Sequence, residues 1–358
     1  MGVTILLIIL AGITLYITIS WFKLTPYNQK PLEIKTFDGN NSPYHPTVLY
    51  FKDGWNGYKY WMAETPFSPN SKPYRDRSEC PSIHVSNDGV MWTEITQNPI
   101  DDLTEKEIKE LDYFSDPHLV FVDEKIECWY RFTHRNGIDN KFNNLQLVRK
   151  TSSDGINWSK RDVLVNLATS EGDNLGNMVV SPAILYQDGK YRMWYVNSES
   201  REQRELSYSE SIDGKNWAEY KRCTLQGIDN TPWHIDVNFI DGIYYLISYN
   251  FKNLTLFKSV DGITFNYVNI ILEQSVDGSF YSGGLYRACI IKDNNLKIYF
   301  SANDVKRTHI GLLEGDDCTQ FQLVEFGKFR TFFSFAKYFI AKKMISICFI
   351  TKQLFKRF

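Results

Sequence analysis

One short phrase returns four times along this 358-residue chain: a serine, any residue, Asp-Gly, two residues, then a large aromatic. It reads Ser86, Asp88, Gly89, Trp92; Ser152, Asp154, Gly155, Trp158; Ser211, Asp213, Gly214, Trp217; and Ser259, Asp261, Gly262, Phe265. Asp-Gly between β-rich runs signals a hairpin, because glycine accepts the positive φ that the turn demands. The aspartates lie 66, 59 and 48 residues apart, a period that suits one small sheet per repeat. The aromatic after each turn can pack against the next sheet. Four such turns in register argue for a radial array of sheets.

A second phrase precedes each of the first. Extended segments begin at His45-Pro46, Asp116-Pro117, Ser181-Pro182 and His234-Ile235, turn at polar pairs such as Asp188-Gly189 and Asp241-Gly242, and return through aromatics. A fifth copy runs from Tyr286 through Ile291, turns at Asn294-Asn295 and returns through Ile298 and Phe300. Its closing hairpin, near Gly315 to Phe321, lacks the repeat phrase. Two hairpins per unit and five units predict an all-β fold, a five-bladed β-propeller over residues 39–326. Ring closure hides strand edges that would otherwise pair with other chains.

The two ends differ from the ring. Residues 1–22 carry no charged side chain, enough length for a helix to span a bilayer core of roughly 30 Å. The exit Ile19-Ser20-Trp21-Phe22 is not a small-residue cleavage site, and Trp21 suits an interfacial belt. Residues 1–22 are therefore expected to be an uncleaved transmembrane helix, with lipid contact through residues 3–22, and 23–38 a linker. The expected location is a cell membrane, single-pass. Lys23, Lys30 and Lys35 follow the span, and this basic bias favours a cytoplasmic ring while leaving the side open. Residues 327–358 form a basic, aromatic C-terminal tail with eight Lys or Arg and no acid, whereas the part before it has a formal charge of −10. That tail suits anionic lipid, or wraps the acidic ring.

In a propeller blade the first and third strands begin on one face of the ring. That face gathers His45, Asp116, Ser181, His234 and Tyr286, with Glu79 at the start of a third strand and Asp236 two residues into blade four. Carboxyl groups converging with histidines suit acid–base chemistry. Asp116, Glu79, His45 and Asp236 are the catalytic candidates. Arg131, Trp233, His234, Tyr286, Arg287, Arg75 and Arg77 are candidates for substrate binding, and a basic rim suits an anionic sugar or phosphate. Each also has a plain structural use: Asp116 can cap its own turn before Pro117, and Glu79 can pair with Arg77 or Arg75. The six cysteines show no Cys-x-x-Cys pair and no zinc spacing, so no metal site is assigned. Phosphate-loop, dinucleotide, nucleophile-elbow and zincin motifs are missing, and an acidic body without a basic stripe argues against nucleic acid.

The five blades, the Asp-Pro opening of blade two and the Ser-x-Asp-Gly-x-x-Trp hairpins resemble the propellers of glycoside hydrolase families 43 and 32. The resemblance implies carbohydrate chemistry with an acid at the start of each of blades one, two and three. Asp116 matches, in the role of an orienting carboxylate. His45 stands where blade one should offer Asp, and Val180-Ser181-Pro182 where blade three should offer the general acid. Glu79-Cys80-Pro81 repeats the Glu-Cys-Pro phrase of family 32, but in blade one, ahead of Asp116. Related propellers also hold a calcium ion on the axis, although no ligand loop is readable and no cofactor is assigned. The expected function is a membrane-anchored, carbohydrate-active propeller acting on a surface or capsule-type polysaccharide or its precursor, glycoside hydrolase-like. The alternatives are a glycan-binding propeller that has lost catalysis and a scaffold of a membrane assembly.

Overall fold

The computed structural model describes residues 30–67, 79–135, 142–170, 172–176, 178–198, 203–275, 279–304 and 307–324. Blade one holds β1 (Pro43–Trp55), β2 (Tyr58–Pro66) and β3 (Ser82–Ser86). A short capped helix, α1 (Glu105–Glu110), leads to blade two: β4 (Tyr113–Val122), β5 (Lys125–Arg135), β6 (Phe142–Ser152) and β7 (Asp162–Asn166). Blade three holds β8 (Val180–Gln187), β9 (Lys190–Ser198), β10 (Arg204–Ser211) and β11 (Lys221–Arg222). Blade four holds β12 (Thr224–Gln226), β13 (His234–Ile240), β14 (Ile243–Tyr249), β15 (Asn253–Ser259) and β16 (Thr264–Glu273). Blade five holds β17 (Gly284–Lys292), β18 (Leu296–Asn303), β19 (Thr308–Gly315) and β20 (Gln322–Leu323).

Within each blade the strands follow in sequence order as antiparallel neighbours, apart from β12. The innermost strands close the ring: β1 packs on β4, β4 on β8, β8 on β13, β13 on β17, and β17 back on β1. Five blades are thus present, as the repeats imply, but not all have four strands. In blade one the fourth strand shrinks to a bridge between Val85 and Thr93. Asn98 takes over its pairing, accepting from Ile83 N and donating to Ile83 O. In blade four, β12 arrives from the preceding connection and pairs in parallel with β16.

The recurring phrase forms the joints between blades. Each serine Oγ accepts from the glycine N–H three residues on, at 2.8–2.9 Å. Each aspartate then accepts two backbone N–H groups ahead of it, as Asp154 does from Ile156 and Asn157, which holds the exposed carboxylate well below its usual range. The glycines sit at φ between 73° and 77°, and the preceding blade leaves them no side-chain space. A Cβ on Gly155 would lie 2.1 Å from Trp61, one on Gly214 2.6 Å from Trp129 and one on Gly89 2.6 Å from the Tyr299 hydroxyl. So a second-strand aromatic of one blade seats on the turn of the next. Tyr299 and Trp194 also donate to the carbonyls of Gly89 and Gly262. The aromatic that ends each phrase has a smaller part than expected: Trp217 and Phe265 are buried, but Trp92 and Trp158 are only half-buried. The apolar core accordingly lies between blades, as in the layer of Trp61, Ala63, Ile83 and Val85 against Phe114, Ile126 and Tyr130.

The chain divides into two compact units, and the ring is the one made of residues 31–274 and 280–323. Leu32 and Ile34 are buried in it, and Leu32 N donates to Ile310 O of β19. The expected transmembrane helix at 1–22 and the basic tail at 327–358 lie outside the described residues. Among the described residues no helix is long and apolar enough to cross a membrane. Among the described residues Cys128, Cys223, Cys289 and Cys318 are free thiols.

Candidate functional site at the propeller axis

Three inner strands carry the same local irregularity. His45, Asp116 and Ser181, each followed by proline, have φ of 51°, 52° and 51°. The strand register slips at each of them. A positive φ outside glycine is uncommon, and held strain of this kind gathers at functional sites. A bulge re-aims a side chain that the pleat would otherwise send into a blade interface. Blade five slips likewise between Leu285 and Ala288, around Tyr286 and Arg287. Blade four keeps a regular ladder through His234 and Asp236.

The residues so aimed meet in one buried cluster. Asp116 Oδ2 accepts from Arg131 Nη1 at 2.9 Å and from Ser181 N at 3.2 Å. Asp116 Oδ1 faces His234 Nδ1 at 3.4 Å. The His234 ring lies 4.1 Å from Tyr286 and 5.9 Å from His45, centroid to centroid. His45 Nδ1 is 2.9 Å from Thr65 Oγ1 and 3.7 Å from Glu79 Oε1. His45 Nε2 and His234 Nε2 are buried and have no hydrogen-bond partner among the described residues, an arrangement that ordinarily marks a place for a ligand or water. Glu79 is a strained residue too, at φ 64°, its N–H tied to Pro66 O.

Burial sets the charges. Desolvation, with the Asp116 charge adding to it, raises the Glu79 carboxyl to about 8. Burial also opposes ionisation of Asp116, but His234 and the Arg131 guanidinium outweigh it and hold that carboxyl well below its usual range. Desolvation lowers His45 to about 3 and lowers His234, so both imidazoles are neutral near pH 7. The cluster therefore pairs a protonated carboxyl with an ionised one, flanked by neutral imidazoles and an arginine.

Asp236 and Arg287 belong to a second group. Asp236 lies two residues along β13 from His234, about 6.6 Å further at a strand's rise. Its Oδ1 is 3.5 Å from His118 Nδ1, and burial raises its carboxyl to about 6. Arg287 is fully buried and hydrogen-bonds inward to Pro117 O, Pro182 O and His118, rather than lining an open groove. The axial calcium suggested by the resemblance does not fit here, because a guanidinium already bridges the inner strands. Among the described residues no three His, Cys, Asp or Glu side chains assemble as a metal site.

Towards solvent the site is framed by aromatics. Tyr44 stacks on Tyr286 at 5.0 Å. Trp233 donates to the Tyr286 hydroxyl and stacks on half-exposed Phe251, with Arg204 over both rings. Arg75 and Arg77 lie outside the described residues. Thr65, His118 and Phe251 went unnoticed in the sequence. His118 was within reach of the period-two argument that found Asp236, since it follows Asp116 by two; Thr65 and Phe251 carry no sequence signal.

The fold and its axial cluster define the protein as a five-bladed propeller with a buried polar centre. No family model matches the chain. In sequence it is similar to the A type blood N-acetyl-α-D-galactosamine deacetylase of Flavonifractor plautii, with 26% identity over 242 residues, 55% of this chain. The match spans 29% of that curated relative's length. In structure it is similar to an N-acetylgalactosamine deacetylase from F. plautii in complex with blood group B trisaccharide. That match has a TM-score of 0.66 at 19% identity and covers 80% of this chain and 95% of the other. A family 43 β-xylosidase/α-arabinofuranosidase from a compost metagenome, with xylotriose, gives a TM-score of 0.54 at 12% identity, over 80% of this chain and 93% of the other. These likenesses establish the fold that the hairpin phrase suggested.

Proposed function

We propose that this protein is a carbohydrate-active hydrolase whose first target is the acetamido group of an N-acetylated amino sugar. One observation carries the reading: Glu79, protonated up to about pH 8, stands in the same buried cluster as ionised Asp116. Carboxyl groups pushed apart in this way divide into acid and base roles. Neutral His234, oriented by Asp116, takes a proton from water as the water oxygen attacks the amide carbonyl. Arg131 and the Tyr286 hydroxyl stabilise the developing oxyanion. Glu79 protonates the amine as the carbon–nitrogen bond breaks, and acetate leaves. His45 passes protons between Glu79 and solvent, while Trp233 and Tyr286 stack on the sugar. The similarity to an N-acetylgalactosamine deacetylase supports the choice of bond.

Glu79 and Asp116 together also suit glycosidic cleavage, which uses two carboxyl groups about 5–9.5 Å apart. The two reactions separate in one experiment with an oligosaccharide ending in N-acetylgalactosamine. Acetate release without new reducing ends supports deacetylation, and new reducing ends support a glycosidase. Tight binding with neither product leaves a glycan-binding propeller. We further propose a surface or capsule-type polysaccharide, or its precursor, as the natural substrate, with the ring held at a membrane through residues 3–22. Loss of the full-length chain from membranes in carbonate would refute the anchoring.

A further inference from the structure

Arg287 is wholly buried, yet no carboxylate of the described residues stands within ion-pair distance of it. Its Nη1 donates to Pro117 O at 2.9 Å and its Nη2 to Pro182 O at 3.0 Å; Nη2 also faces His118 Nδ1 at 3.3 Å. His118 Nε2 donates to Ile184 O, which leaves Nδ1 as the acceptor. Every one of these partners belongs to another blade: Arg287 arrives from blade five and grips blades two and three, and its charge reaches Asp236 of blade four. The two carbonyls are those of the prolines that follow Asp116 and Ser181. At those points the bulges interrupt the ladder, and a buried carbonyl must find a donor elsewhere.

We infer that Arg287 is the propeller's built-in axial cation, a positioning residue standing where a divalent ion could otherwise bridge the inner strands and fixing the bulges that aim Asp116 and Ser181. A planar fork suits this role, because one guanidinium can serve two carbonyls and an imidazole at fixed angles. Without the side chain, the two carbonyl oxygens, the Asp236 carboxylate and His118 Nδ1 would surround a void. That set is rich in the oxygen ligands calcium prefers.

The test uses the full chain and reads melting and histidine titration, so it does not depend on the substrate. Wild type should melt at the same temperature with calcium chloride or with EDTA. Arg287→Ala should melt about 4–12 °C lower, as for leaving two buried carbonyls without a donor. Millimolar calcium or guanidinium alone should raise it again. Arg287→Lys, which keeps the charge and loses the fork, should recover only part of the stability. In Arg287→Ala without added cation, His45 and His234 should titrate at higher pH by NMR, because the Arg287 charge helps hold both down. The inference is overturned if EDTA lowers the wild-type melting temperature, or if Arg287→Met is as stable as wild type. It is equally overturned if Arg287→Ala folds and neither cation moves it. Should Arg287→Ala not fold, the EDTA comparison and the lysine and methionine variants decide.

Discussion

Gly155→Ala tests whether the repeat phrase is a joint between blades or only a turn. Gly155 and Gly189 have the same φ, 74°, and both close tight hairpins. They differ in surroundings: a Cβ on Gly155 would sit 2.1 Å from Cη2 and Cζ3 of Trp61, whereas one on Gly189 meets nothing within 4 Å. Both alanines incur the left-handed backbone cost, about 1–2 kcal/mol. Only Gly155→Ala also forces a fully buried tryptophan to move, which adds about 1–3 kcal/mol of overpacking. At about 2 °C per kcal/mol for a large domain, Gly189→Ala should lower the melting temperature by about 2–4 °C and Gly155→Ala by about 4–10 °C. Thermal melts followed by tryptophan fluorescence and circular dichroism give both values. Repeating Gly155→Ala in a Trp61→Phe background isolates the contact, because phenylalanine lacks the outer indole atoms. There the alanine should cost no more than Gly189→Ala does. Equal costs at the two glycines, or the same Gly155→Ala cost in both backgrounds, would refute the joint.

Glu79 bears on pH in two ways. The folded state keeps the Glu79 proton up to about pH 8, while the unfolded chain releases it near pH 4.3. Stability from this group is therefore full at low pH and declines as pH rises through that window. Glu79→Gln should flatten the decline in melts recorded across it and abolish acetate release, whose wild-type rate should fall above about pH 8. Asp116→Asn should stop turnover and also lower stability by about 3–5 kcal/mol, because it leaves the buried Arg131 guanidinium unpaired; denaturation alongside activity assays reads both. The carboxyl is held low, so its contribution is present above about pH 4 and lost on acidification. Trp217→Ala should cost about 3–5 kcal/mol, as for a buried large aromatic, and half-buried Trp158→Ala measurably less, by the same denaturant titration.

The hairpins were legible because their chemistry is local. Ser, Asp and Gly satisfy each other's hydrogen bonds within four residues, so the turn at Ser152–Gly155 needs nothing from elsewhere in the chain. Spacing then determined the blade number, and hydrophobic pattern the five inner strands, whose starts at His45, Asp116, Ser181, His234 and Tyr286 do converge. Tertiary packing decided what those strands do when they meet. Nothing local says that Trp61 closes on Gly155, that Asn98 substitutes for a strand, or that Trp158 stays half-exposed. The ionisation of Glu79 and Asp116 was open for the same reason. Both are carboxyls near a proline-marked strand start, and it is the positions of His234 and of Arg131, the latter fifteen residues from Asp116 and paired with its carboxylate, that separate them. Likewise Asp236 and Arg287 looked like site residues by strand position. The bulges put Arg287 against Pro117 and Pro182, because a carbonyl displaced from its ladder must be satisfied by whichever donor the ring's closure brings within reach.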